Sequence, residues 1–172
     1  MPAQAAFHDQ RDKTASHLRS ESEELLLALI AQTGTQLQTA MDSRFRPLGL
    51  TAQEAALLIR SAEAKSRSSG ELASVIGRDK GGVTRHLDQL EARGLIERFT
   101  SSRDRRVTLV RATQLGRKLA PRCGEAFLEA RSQLLGDLFE VEIHQLLGVL
   151  SRISVRLGPS TLTLTLRGCQ GS

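Results

Sequence analysis

The chain reads as a mainly α fold with a small β-hairpin, an α+β arrangement, and three observations predict it. Apolar residues recur at helical spacing through most of the 172 positions. Two short runs with strand character, Leu95–Thr100 and Val107–Ala112, stand either side of the polar loop Ser101–Arg106. Positive charge is concentrated between them and around them: residues 66–122 hold thirteen Lys/Arg against six Asp/Glu, a net +7, whereas residues 1–65 and 123–172 each come to −1. A basic block inside an otherwise balanced chain points to a polyanionic partner.

Residues 1–20 are polar and mixed in charge, and read as a flexible, partly helical tail. From Ser22 to Phe45, Leu26, Ile30, Thr33/Leu37 and Met41 repeat at helical spacing, and Pro47-Leu48-Gly49 ends that helix. Thr51-Ala52-Gln53-Glu54 is a capping box, in which hydroxyl and carboxylate each satisfy the other residue's amide, and it opens a helix to about Ala62. Ser66–Gly70 reads as a polar linker. Ser68 with Glu71 makes a second capping box before Leu72–Ile76, and Gly77 supplies a left-handed stop. Asp79 is a cap for the next helix, whose buried stripe is Val83, Leu87 and Leu90, and Gly94 ends it. Past the hairpin, Thr113 caps a long helix with a stripe of Leu115, Leu119, Cys123, Phe127/Ala130 and Leu134. A last helix covers about Val141–Leu157 and stops at Gly158-Pro159. The end, Thr161–Leu166, alternates with period two, which is a strand pattern.

Composition narrows the function classes. Five Phe with no Trp or Tyr is poor in the aromatic platforms on which single-strand binders stack bases. There is no apolar signal region, and the longest apolar run, Leu25–Ala31, is too short to cross a bilayer, so a cytoplasmic protein without a membrane partner is expected. Cys123 and Cys169 lie far apart with no CxxC, which predicts reduced thiols, with Cys123 on an apolar helix face. His8, His17, His86 and His144 lack zinc spacing, and the glycines near Lys80 lack the Gly-Lys-Ser/Thr ending of a phosphate loop. No nucleophile–base arrangement is recognisable. The expectation is a non-enzyme with no cofactor and no metal.

Helix 71–76, a tight turn, helix 80–93 and the basic hairpin together make a winged helix-turn-helix. Position by position the segment resembles the MarR (multiple antibiotic resistance regulator) family. The matching residues are Leu72-Ala73, Ile76-Gly77, Val83-Thr84-Arg85, Leu90-Glu91, Gly94-Leu95-Ile96-Glu97-Arg98, Asp104-Arg105-Arg106, and Thr113 with Gly116, and the resemblance covers residues 25–156. Gly81-Gly82 at the opening of the second motif helix, Ala112 in place of Leu, and the alternating tail depart from the family pattern.

Helical geometry assigns the faces. Val83, Leu87 and Leu90 point inward; Gly81, Gly82, Arg85 and Gln89 lie broadly opposite, with Lys80, Thr84 and His86 flanking. Arg85 is the candidate for bidentate contact to guanine and Gln89 for adenine. Lys80 and Thr84 suit phosphates, as do Ser68 and Ser69 near a helix N-terminus. Gly81 and Gly82 permit close backbone approach while removing two side chains from base reading. In the wing, the resemblance implies that Asp104 braces the loop by pairing with an arginine, Arg106 being the candidate. Arg103 and Arg105 are then left for the duplex backbone or minor groove, and Arg106 is counted with them among the DNA-binding residues.

The expected division is a tail at 1–20, a helical dimerisation module at 21–47 and 113–157, a DNA-binding lobe at 48–112, and an extension at 158–172. The resemblance implies a homodimer that places two recognition helices about 34–36 Å apart on a palindromic double-stranded operator. It also implies a repressor whose affinity is modulated by a small-molecule effector that the sequence does not identify. The alternative from a different class is a winged-helix interaction module whose basic face binds an acidic protein.

Overall fold

A computed structural model describes residues 2–63, 66–76, 80–102 and 104–157. The elements in order are α1 (Pro2–Phe45), a short 3-10 turn (Arg46–Leu48), α2 (Ala52–Ala62), β1 (Arg67–Ser68), α3 (Ser69–Ile76), α4 (Lys80–Ala92), β2 (Ile96–Thr100), β3 (Thr108–Ala112), α5 (Gln114–Leu135) and α6 (Glu140–Arg156). The chain divides into two units, residues 1–41 and 42–172.

The first unit is helix alone. It begins at Pro2, whereas the sequence pattern starts a helix at Ser22 and leaves 1–20 as a partly helical tail. The apolar residues expected to form its stripe are largely exposed, Leu26 and Leu37 at nearly half.

The second unit builds the core. Phe45, Leu57, Leu58, Leu72, Val83, Leu87, Leu90 and Val110 are wholly removed from solvent. The Phe45 ring meets Phe127 of α5 at 4.6 Å between centroids, tilted by 49°. Phe45 is followed by a Schellman turn: Leu50 N–H donates to Phe45 C=O, Gly49 N–H donates to Arg46 C=O, and Gly49 sits at φ 70°. The Thr51/Glu54 capping box is formed in both directions, at 3.2 and 2.8 Å. Asp42 accepts from Ala52 N–H, a further bond at the same helix start.

The three strands form one antiparallel sheet in the order β1-β3-β2, with Ile96 opposite Ala112 and Thr100 opposite Thr108. β1 corrects the expected linker at 66–70: Arg67 and Ser68 pair with Val110 and Leu109 at the sheet edge. A two-residue strand has no periodicity to read, so its pairing partner alone defines it.

A second correction concerns α5. Its buried line is Gly116, Ala120, Cys123 and Ala130, whereas Leu115 and Leu134 are about half exposed. The small residues face the lobe because α5 lies too close to it for leucine. At Gly116 an added Cβ would overlap the Leu95 carbonyl oxygen and come within 3.0 Å of Leu58 Cδ1. Among the described residues, no helix is long and apolar enough to cross a membrane.

Candidate nucleic-acid interface

The second motif helix, α4, is oriented by its three buried residues. Val83, Leu87 and Leu90 are fully enclosed, so the opposite row must face out. Gly81, Thr84, Arg85 and Gln89 are exposed, and Gly82 is half-buried. Neither the Arg85 nor the Gln89 side chain hydrogen-bonds or ion-pairs with another described residue, which leaves both polar heads available to a ligand. The helix ends in a second Schellman turn, with Leu95 N–H on Leu90 C=O at 2.9 Å and Gly94 N–H on Glu91 C=O at 2.8 Å; Gly94 is at φ 66°. Lys80 opens the helix, but its side chain lies outside the described residues, as do Asp79 and Gly77.

Arg98 of β2 ties the sheet to this helix. Its Nη1 lies 2.6 Å from Asp88 and 3.0 Å from Glu91, and its Nη2 donates to Thr84 C=O at 3.4 Å. Its backbone N–H donates to the same Glu91 carboxylate at 3.2 Å. One guanidinium thereby neutralises two carboxylates on the most basic part of the chain. At the other end of the helix Arg93 donates to Gly49 C=O.

In the wing, backbone amides bond Asp104, and among the described residues no guanidinium pairs with it. Its Oδ1 accepts the backbone N–H of Arg106 at 2.9 Å, an Asx turn, and its carbonyl accepts Val107 N–H at 3.0 Å. The acidic side chain can reach the amide two residues on with its own backbone folded tightly, a local solution available within the loop. Arg105 and Arg106 are exposed at the tip. Arg103 lies outside the described residues. On the hairpin flank, Arg111 pairs with Glu97 at 2.7 Å and stacks over Phe99 at 4.8 Å.

At the start of α3, Ser68 and Glu71 form the expected capping box. Ser68 Oγ donates to the Glu71 carboxylate at 2.9 Å and accepts Glu71 N–H at 3.2 Å. The hydroxyl is thus engaged by a carboxylate, while Ser69 is half-buried beside it. Cys123 is wholly buried and its thiol is pushed up by desolvation, with Arg122 pulling the other way more weakly. A cleft of about 340 Å³ lies where α5 leaves the hairpin, lined by Leu95, Leu115 and Leu119 with Arg93, Lys118 and Arg122.

Residues 50–108 match the model of the MarR family, from just ahead of α2 to the first residue of β3. That segment is similar to the MarR-family winged helix-turn-helix. The MarR fold extends beyond the matched segment. BldR of Sulfolobus solfataricus is 27% identical, aligns over 78% of this chain and 96% of its own, and superposes with a TM-score of 0.64. The transcriptional regulator SlyA is 25% identical over 77% of this chain and 93% of its own, at 0.65. A mutant MarR from E. coli, solved with operator DNA, is 27% identical over 74% and 92%, also at 0.64.

The MarR motif residues now have physical reasons. Gly116 is the contact point of α5 on Leu95, and Thr113 joins the same place by donating to Gly94 C=O at 2.7 Å and accepting Gly116 N–H at 3.1 Å. Arg98, quoted as part of the motif, carried no assigned role from sequence. Its partners sit seven, ten and fourteen residues upstream on a different element, so no periodicity within one helix or strand reveals them.

Proposed function

We propose that this MarR-family transcriptional regulator binds double-stranded DNA sequence-specifically as a homodimer, represses from a palindromic operator, and is released by a small-molecule effector. The observation that carries the reading is the pair Arg85 and Gln89, exposed on the face of α4 opposite a fully buried stripe, their side chains bonded to no other described residue. Arg85 reads guanine bidentately, Gln89 reads adenine, and Gly81 and Gly82 let the backbone approach. Thr84, Lys80 and Ser69 grip phosphates, as do Arg103, Arg105 and Arg106 on the wing that Asp104 holds in shape. Ser68 contributes only by the position it gives to α3. That the similar E. coli protein carries operator DNA supports the duplex as partner.

Exposed Leu128, Leu134, Val141, Leu146 and Val155 on α5 and α6 support a dimer, since each would otherwise stay in water. The leucine-floored, arginine- and lysine-rimmed cleft suits a partly apolar, anionic effector. CouR of Rhodococcus jostii, 25% identical, was solved with p-coumaroyl-CoA, a ligand of that general kind.

The test is selection of a preferred duplex from random sequence, followed by Arg85→Ala. The variant should lose about 1–3 kcal/mol on the selected duplex and much less on a scrambled one. Equal loss on both rules out base reading by Arg85. Wild-type affinity should fall by ~10³–10⁵ between 50 and 200 mM salt if roughly 6–10 phosphates are contacted. A salt-independent curve, or capture of an acidic protein in preference to any duplex, would overturn the proposal.

A further inference from the structure

Thr84, Asp88 and Glu91 lie at i, i+4 and i+7 along α4 and form one row on its surface. The row Gly81, Arg85 and Gln89 is displaced from it by one residue, about 100° around the helix axis. Arg98 holds every member of the first row: Asp88 at 2.6 Å, Glu91 at 3.0 Å and the Thr84 carbonyl at 3.4 Å. It does so from β2, two residues before the strand ends at Thr100 and the wing loop begins. We infer that Arg98 is a positioning residue for sequence reading: it fixes the rotation of α4 about its axis relative to the wing, so that helix and hairpin present their arginines to one duplex in a single register.

The physical argument is geometric. The buried stripe anchors α4 by apolar contact, which resists separation from the lobe better than small rotation. Ion pairs to a planar guanidinium do resist rotation, because the fork has fixed donor directions. Two carboxylates and a carbonyl at three heights along one helix face define its orientation. A small rotation would be magnified at the tip of the long Arg85 side chain. The Arg98 side chain is 23% exposed while Asp88 and Glu91 are 57% and 40% exposed, so water competes at the carboxylate ends and the tie depends on several bonds converging on one guanidinium. The backbone bond from Arg98 N–H to Glu91 adds a tie that fixes where the strand meets the helix.

A plainer possibility is that Arg98 only neutralises Asp88 and Glu91 and so spares the DNA two repulsive charges. The two effects separate by mutation. The full-length protein is titrated with the selected duplex and with a scrambled duplex, using Arg98→Gln, Arg98→Lys, and the triple variant Arg98→Gln with Asp88→Asn and Glu91→Gln. A positioning role predicts that Arg98→Gln lowers the ratio of selected to scrambled affinity by about tenfold, the value of one good base contact. It also predicts that the triple variant, which carries no stray carboxylates, stays low, and that Lys, a point charge without the fork, stays well below wild type. Recovery of the wild-type ratio in the triple variant overturns the inference, as does equal weakening on both duplexes.

The inference rests on the DNA-reading proposal above, and a second readout keeps the two apart. Amide hydrogen exchange of the free protein should quicken together in residues 84–91 and 96–100 on Arg98→Gln. If wild type shows no duplex preference but this joint quickening is seen, the reading proposal fails and the helix–wing tie stands. If exchange is unchanged in both segments, the tie itself is refuted.

Discussion

Helices α4 and α6 are of comparable length, thirteen and seventeen residues, and both carry apolar residues at helical spacing. α4 buries Val83, Leu87 and Leu90 completely, whereas α6 buries none and leaves Val155 at 80% exposure and Val141 at 60%. The pattern along each helix is the same kind of signal; the difference lies in what surrounds it. α4 has α2, α3 and β2 against it within one chain. α6 opens with half a capping box, in which Glu142 accepts Phe139 N–H at 2.8 Å and phenylalanine has no oxygen to return the bond. An apolar stripe says that a helix needs a neighbour, and does not say whether the same chain provides it.

That contrast can be broken most severely in the lobe. Leu87→Ala should lower stability by about 2–5 kcal/mol in denaturant unfolding, because a fully enclosed leucine leaves a cavity. Leu146→Ala on α6 should leave the unfolding of the lobe unchanged and instead lower the dimer mass seen by light scattering. A large loss of lobe stability from Leu146→Ala would show that α6 is part of the lobe's own core.

Glycines sharpen the comparison at a smaller scale. Gly116→Ala should cost about 1–3 kcal/mol by overpacking, since its Cβ has no room against the Leu95 carbonyl. Gly148→Ala on α6, where nothing lies within 4 Å, should raise helix stability by up to about 1 kcal/mol. Circular dichroism melts of the two variants should therefore shift in opposite directions. If Gly148→Ala destabilises a dimer while sparing the monomer, it locates a partner surface over that position.

The smallest expected effect is electrostatic. Glu63 bonds Arg67 and, at 2.8 Å, Arg60, and these bonds lower its pKa, Arg67 first, against a smaller opposing desolvation. A lowered folded-state pKa means that the contribution is present above about pH 4.5 and is lost as pH falls below it. About a third of the side chain is exposed, so the effect is discounted to below about 1 kcal/mol. Glu63→Gln should flatten that part of the acid stability curve and leave stability at neutral pH within about 1 kcal/mol of wild type.

Much of the lobe is legible in the sequence because its signals are local. The Thr51/Glu54 and Ser68/Glu71 boxes, Gly49 and Gly94 at positive φ, and the Val83-Leu87-Leu90 stripe each involve residues within one or two turns. What escaped is non-local. β1 exists only because β3 pairs with it, Arg98 reaches back seven to fourteen residues, and the inward face of α5 is set by how closely it approaches Leu95. Asp104 shows the intermediate case: the resemblance implied a partner within the loop, while the amide that it grips depended on the turn actually formed. The exposed face of α4 was predictable from its buried stripe, but the bonds that Arg98 makes along the neighbouring row were not.

The Leu95 carbonyl accepts Thr113 N–H at 3.0 Å and the Thr113 hydroxyl at 3.3 Å, beneath the glycine that seats α5. This closes the base of the hairpin into a ring from which residues 101–107 hang. Lengthening such a loop is thermodynamically mild, about 0.6 kcal/mol for each doubling, provided the ring stays shut. The wing is therefore a place where the chain can accept insertions, deletions or altered charge without refolding anything else. A graft of a longer or differently charged loop there would change what the protein touches while leaving its architecture intact.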